Sequence, residues 1–322
     1  MAVSITPTIT APISFLEYAK TLPETSPTRI WVQNMIDKSD MMNAIPILPA
    51  QMGKRAFMDI ANLPTVTFRG LNEAGTVGSG SFNLREEDTY FIDDYLQVDR
   101  AIIDRLGPDH KYKQEQLKMT ALAQLYSQQW IKGDTSSNPR TPTGLQARCG
   151  TLTVNLINNS AAAGGAALSL ANLDQLFWLV NSPTHWIFPR GLMPFVDIAA
   201  RNSTLTGNSF SSDTDNLGKR ISKYKGLPIL FGYEPDDSPD LLPFTEVGAG
   251  GGGAVTSSIY LASFRDGGIY GIEQTPLQVI PEGFIPGAPF DSTHIKWDWG
   301  IAREHPRACA RLTSITAATV VA

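Results

Sequence analysis

Cysteine is nearly missing from this chain: Cys149 and Cys309 are the two thiols in 322 residues. Two thiols exclude a disulfide framework and a structural zinc site, and folding in a reducing cytoplasm is the expectation. Charge is thin as well. Charged residues make up 18% and the formal net charge is −5. No basic tail or Lys/Arg cluster is long enough to grip phosphates across a face, which argues against a dedicated nucleic-acid reader. No apolar run approaches the ~20 residues that span a bilayer, so no membrane partner is expected. The opening "MAVSITPTITAPISF" has neither a charged n-region nor an apolar h-region, so no secretory signal is expected. The four histidines (His110, His185, His294 and His305) stand apart, without metal-ligand spacing. "GSGSF" lacks the last glycine of a nucleophile elbow, and "GAGGGGAV" lacks the Lys-Ser/Thr of a phosphate loop. "EPDDSPD" (residues 234–240) clusters carboxylates without calcium-ligand spacing. No catalytic residue, cofactor or metal is therefore expected, and the chain should not be an enzyme.

What is present is an ordered series of unlike segments. Prolines at 7, 12, 23, 27, 46 and 49 make residues 1–61 an arm of extended pieces, with one helix around Arg29–Asp37. The arm is too poor in apolar residues to fold alone and needs a surface to lie on. Residues 62–98 read as a long β-hairpin. In "LPTVTFRGL", Val66 and Phe68 alternate with Thr65, Thr67 and Arg69, which predicts a half-buried strand. Glycines at 75, 78 and 80 mark the tip, and "REEDTYFIDDYLQVDR" runs back.

A long helix is predicted over residues 108–132. It opens at Gly107-Pro108, carries Tyr112, Met119, Leu122, Ala123, Tyr126 and Trp130 as one stripe, and stops at Gly133, read as a left-handed C′ residue. Residues 151–264 read as an α/β unit. It holds a helix after Ser169, a strand at "THWIFP", a helix from Pro194, two strands joined at Lys225-Gly226, and a strand at "SSIYLASF". The glycine run at 248–254 reads as a mobile loop. Near the C-terminus "HIKWDWGI" puts Ile295, Trp297, Trp299 and Ile301 on one face, with Lys296 and Asp298 on the other.

Two segments in this order carry a resemblance. "LPTVTFRGLNE" (63–73) and "GDTSSNPRTPTGLQAR" (133–148), followed by "IYLASFRDGGIYGIEQTPLQV" (259–279), resemble tailed-phage major capsid proteins of the Hong Kong 97 type. Thr143 departs from the aromatic residue often found before "GL". The resemblance implies an α+β capsid fold: arm 1–61; extended loop 62–98; peripheral domain 99–150 and 265–305 with spine helix 108–132; axial domain 151–264 and 306–322. It implies a subunit that assembles with itself, as pentamers and hexamers, into an icosahedral shell. That shell would enclose double-stranded DNA without sequence-specific contacts, and scaffolding, portal and decoration proteins would be its further partners. The site would be the virion, with assembly in the host cytoplasm.

Candidate inter-subunit contacts are Arg69, Glu86, Glu87, Asp88, Asp93 and Asp94 on the loop, facing Arg100, Arg105, Lys111, Lys113 and Lys118 near the spine of a neighbour. Residues 62–98 hold no lysine, so Lys-Asn cross-links through the loop are not expected. An encapsulin-like compartment shell with the same fold, and an α/β enzyme with an unrecognised site, remain the alternatives.

Overall fold

The computed structural model describes residues 13–150, 154–202, 209–214, 220–233 and 240–321. Expectations for residues 1–12 and 234–239 lie outside this set. The arm holds three helices, α1 (Phe15–Thr21), α2 (Pro27–Lys38) and α3 (Asp40–Ala44). Ser14 and Glu17 cap α1 reciprocally, and Pro27 opens α2, where its missing N–H costs nothing. Phe15, Trp31, Val32, Met35, Met41 and Met42 are buried in the core of their own chain. The arm thus finds the surface it needs on its own chain. Its apolar residues are few but fall on one side of each helix, and that side has a floor to pack on.

Strand β1 (Ile47–Pro49) leads into a tight turn at Met52-Gly53, both with positive φ, and then into β2 (Lys54–Asn62). β2 pairs antiparallel with β3 (Ser81–Asp88). The hairpin therefore begins at Lys54, eight residues before Asn62, and "LPTVTFRGL" is not a strand. Val66 and Phe68 are fully exposed. Pro64 lacks an amide to donate, and among the described residues no strand pairs with this segment. Instead the tip closes on itself: Glu73 accepts from the Gly70 amide at 2.8 Å, and Arg69 donates to the Glu73 carbonyl at 2.9 Å.

β4 (Tyr90–Asp99) leaves the hairpin and joins a four-stranded sheet with β12 (Ile269–Phe284) and β13 (Phe290–Arg303), in the order β1-β12-β13-β4. α4 (Arg100–Leu106) then precedes α5 (Asp109–Lys132), the long helix, about 36 Å at 1.5 Å per residue. Its buried stripe starts at Met119 and adds Ser127 and Ile131. Tyr112 is exposed, because the first turns of α5 meet the sheet through polar pairs, Lys111–Asp291 and Lys118–Asp94.

Between α5 and the sheet lies an aromatic cluster. Trp297 stacks on Trp299 (5.3 Å between centroids) and Tyr126 (5.4 Å), and meets Phe15 edge-on at 5.5 Å. The expected apolar face of "HIKWDWGI" is buried as read. Its other face is not simply solvated: Asp298 is buried too, since β13 is a central strand. His294, one of the four scattered histidines, is buried between Asp93 and the ring of Tyr95.

Glu273 closes this core. Trp297 Nε1 donates to its Oε1 at 2.6 Å, yet burial pushes its carboxyl up to about 7. A folded-state value above the ordinary 4.5 means that the native chain keeps a proton the unfolded chain has released. The group's contribution to stability is full below the unfolded value and is lost as pH rises through the folded one. The loss is at most about 3 kcal/mol. Glu273→Gln should flatten this slope. Denaturation at about pH 5 and about pH 8 checks it, and parallel curves for chain and variant would clear Glu273 as the cause.

The second sheet is built from β5 (Leu156–Asn158), β6 (His185–Ile187), β7 (Phe210–Thr214), β8 (Arg220–Tyr224), β9 (Leu227–Leu230), β10 (Glu246–Val247), β11 (Ala254–Ala262) and β14 (Cys309–Thr316). The order is β5-β14-β11-β6-β9-β8-β7, with β10 on β11. β8 and β9 turn at Lys225-Gly226, both with positive φ, as a two-residue hairpin requires. α6 (Leu145–Arg148) precedes this sheet. α7 (Leu170–Leu179) and α8 (Met193–Ala200) cover it with Leu173, Leu176, Val196 and Ala199. The glycine run at 248–254 is not a free loop. Gly164 donates to the Gly251 carbonyl at 2.8 Å, and a Cβ on Gly250 would lie 2.1 Å from the Ala161 carbonyl. Glycine is needed there so that two backbones can touch.

Candidate assembly surface

The residues that join α5 to α6 explain the "GD…NP…GL" segment. Gly133 has φ −55, so it is not the left-handed residue expected. It must be glycine for space: a Cβ would sit 2.3 Å from the Pro142 carbonyl. Gly144 donates to the Gly133 carbonyl at 2.8 Å and has the same constraint against Gln129. Asp134 accepts from the Ser136 amide and the Ser137 hydroxyl, which holds its carboxyl below the usual range. Thr143, the departure noted above, puts its hydroxyl 2.8 Å from that of Thr135 inside the turn.

This knot positions Arg148, which sequence reasoning noted in the motif but did not assign a role. Its guanidinium is buried and donates twice to Glu87, at 2.5 and 2.9 Å, and to the Ile301 carbonyl at 2.9 Å. Glu87 lies on β3, so the α5–α6 knot grips the root of the hairpin.

Beyond that root the hairpin has two unlike faces. Strand alternation puts Ala56, Met58 and Ile60 opposite Glu86, Leu84 and Phe82 on one face. Met58 (75% exposed), Ile60 (59%), Phe82 (67%) and Leu84 (66%) form an apolar patch with nothing over it among the described residues. The other face carries the Arg85–Asp59 pair (3.1 Å) and Phe57, which is buried at the root. None of the four apolar residues was named from sequence. Their signal was faint, because β2 alternates apolar residues on both faces.

The expected contact residues fall into different settings. Glu86 and Asp88 both pair with Lys54 across the hairpin root, at 3.1 and 3.6 Å. Glu87 is committed to Arg148. Asp93 meets His294 at 2.5 Å, and Asp94 pairs with Lys118 of the same chain. Lys111 holds Asp291 at 2.8 Å. Arg100 approaches Asp104 at 3.9 Å and lies 4.7 Å over the Phe284 ring. Arg69 closes the hairpin tip. Arg105 and Lys113 are exposed, with no ion-pair partner among the described residues. The described residues hold no group of three or more potential metal ligands.

A family profile described as "Major capsid protein GP7" matches residues 30–229. The chain belongs to this family. It is a major capsid protein, a structural subunit of a phage capsid and thus of the virion. No curated protein sequence matches it. Among solved structures the capsid protein is similar to the SrpI encapsulin of Synechococcus elongatus PCC 7942, with a TM-score of 0.61 and 15% identity over 94% of this chain and 92% of that one. It is also similar to the capsid of an empty GTA particle (TM-score 0.57, 12% identity, 86% and 90% covered). A structure from Mycobacterium phage Bobi gives 0.57 at 10% identity, covering 94% and 98%. At these identities the likeness is one of fold, the α+β Hong Kong 97-type capsid fold.

Proposed function

We propose that copies of this capsid protein close, as pentamers and hexamers, into an icosahedral shell around double-stranded DNA, assembled in the host cytoplasm. The four-stranded sheet with α5 serves as the peripheral domain and the eight-stranded sheet as the axial domain. Scaffolding, portal and decoration proteins are the further partners this reading implies. One observation carries it: the hairpin presents Met58, Ile60, Phe82 and Leu84 to solvent while its root is clamped by Arg148. A two-stranded ribbon is marginal by itself, and an apolar face on one demands cover. The occupant is a second copy, because a shell subunit repeats the same contact around a closed surface. Each such contact can be modest, since ring closure makes later contacts effectively intramolecular.

Met58→Glu with Phe82→Glu should leave subunits with native circular dichroism that stay small in size-exclusion chromatography and form no particles under the electron microscope. Normal shells from this variant would refute hairpin docking through that face. The charges act at the root and rim instead: Glu86 and Asp88 are spent on Lys54, and such exposed pairs are weakened by water and salt. An encapsulin-like compartment would make particles too, so nuclease-protected DNA inside purified particles distinguishes the two shells.

A further inference from the structure

The two sheets meet at a buried pair of thiols. Cys149 follows α6 and Cys309 opens β14, and both side chains are fully buried. The Cys149 thiol donates to Cys309 Sγ at 3.0 Å, joining positions 160 residues apart in sequence. Arg303 is fixed beside them by donating to the Arg148 carbonyl at 2.8 Å, and the charges of Arg148, Arg303 and Arg311 all reach the pair. A disulfide would bring the sulfurs closer by only roughly 1 Å. Neither thiol has a part in the assembly surface described above.

We propose that Cys149 and Cys309 form an oxidation site that closes an intramolecular disulfide, clamping the end of α6 to the first residue of β14. The two sulfurs are not equivalent. The hydrogen bond from Cys149 and the charge of Arg303 hold Cys309 below the ordinary thiol value, whereas burial pushes Cys149 up. Cys309 is therefore the sulfur that ionises and reacts first. A small oxidant such as hydrogen peroxide transfers one oxygen to the Cys309 thiolate, giving a sulfenic acid and hydroxide. Cys149 then loses its proton, its sulfur attacks the Cys309 sulfur, and the oxygen leaves as water. In sum, two thiols and one peroxide become one disulfide and two waters, with two electrons passing from sulfur to oxygen.

The bridge ties together the two places where the chain passes from the first sheet into the second, after α6 and after β13. Cross-linking positions so far apart removes many conformations from the unfolded chain. A reducing cytoplasm keeps the pair open, and an oxidising exterior lets it close. That timing rests on the capsid reading, whereas the chemistry does not.

The test uses the full chain, purified reduced and then treated with equimolar hydrogen peroxide. Free thiols are blocked with N-ethylmaleimide in denaturant, followed by intact mass and a non-reducing peptide map. The expected result is joint loss of both thiols, a mass lower by two hydrogens, a peptide linking Cys149 to Cys309, and a thermal midpoint raised by a few degrees. Cys149→Ala should give no linked peptide. The comparison of oxidised with reduced wild-type protein needs no variant to fold. Two alkylated cysteines, oxygen adducts on Cys309 without a bridge, disulfide-linked dimers, or a bridge without the rise would each overturn the proposal. None of these outcomes depends on whether shells form.

Discussion

Trp297→Ala is expected to leave mostly insoluble protein. The indole touches three aromatic partners, Phe15 from the arm, Tyr126 from α5 and Trp299 from its own strand, and donates its N–H to Glu273. Removing a buried Trp typically costs ~3–5 kcal/mol, a large share of any domain's net stability. Here the loss is compounded, because the buried Glu273 would lose the indole donor and keep only the Leu277 amide. Trp297→Phe keeps most of the packing and loses only the donor, so it should stay soluble at reduced stability. Soluble fraction on expression and chemical denaturation of the Phe variant measure the two effects separately. Normal assembly of Trp297→Ala would mean that the cluster does not hold the arm to the sheet.

The same cluster sets what deletion of the arm should do. Residues 15–28 include Phe15 and Tyr18 in the core, so removing them attacks folding as well as assembly.

Arg148→Ala should cost about 3 kcal/mol or more, the lower end of the range for breaking a buried ion pair, since Glu87 keeps some exposure. The guanidinium satisfies Glu87, the Thr143 carbonyl and the Ile301 carbonyl together. Its loss frees the hairpin root from the α5–α6 knot. Subunits should then denature earlier and assemble poorly even where they fold. Exchanging the charges, Glu87→Arg with Arg148→Glu, should recover part of the stability and not all of it, because a carboxylate cannot donate to the two carbonyls. Denaturant midpoints for the two variants decide the point. An unchanged midpoint for Arg148→Ala would show that the clamp contributes nothing. Charge reversal at Glu87, Glu86 or Asp88 would likewise break a pair inside one subunit, with Arg148 or with Lys54, before it tested any contact between subunits.

Local pattern by itself determined the long helix, the helix after Ser169, the hairpin at Lys225-Gly226 and the buried face of Ile295, Trp297, Trp299 and Ile301. In each, periodicity and turn chemistry act within a few residues, and burial follows from which side is apolar. The family was legible too, from two motifs in order. The tertiary structure alone decided the rest. Whether "LPTVTFRGL" is a strand depends on a pairing strand that alternation cannot supply, and the described residues hold none for it. Whether the arm belongs to its own chain depends on a floor made by β12, β13 and α5, more than 60 residues away. Gly133 and Gly144 were visible as glycines, but the reason for them, two backbones in contact, exists only once the chain has turned back on itself. Arg148 stood in a motif with no role until Glu87 came to meet it across 61 residues. The apolar face of Met58, Ile60, Phe82 and Leu84 emerged only when β2 and β3 found their register, because register, not composition, decides which side chains share a face.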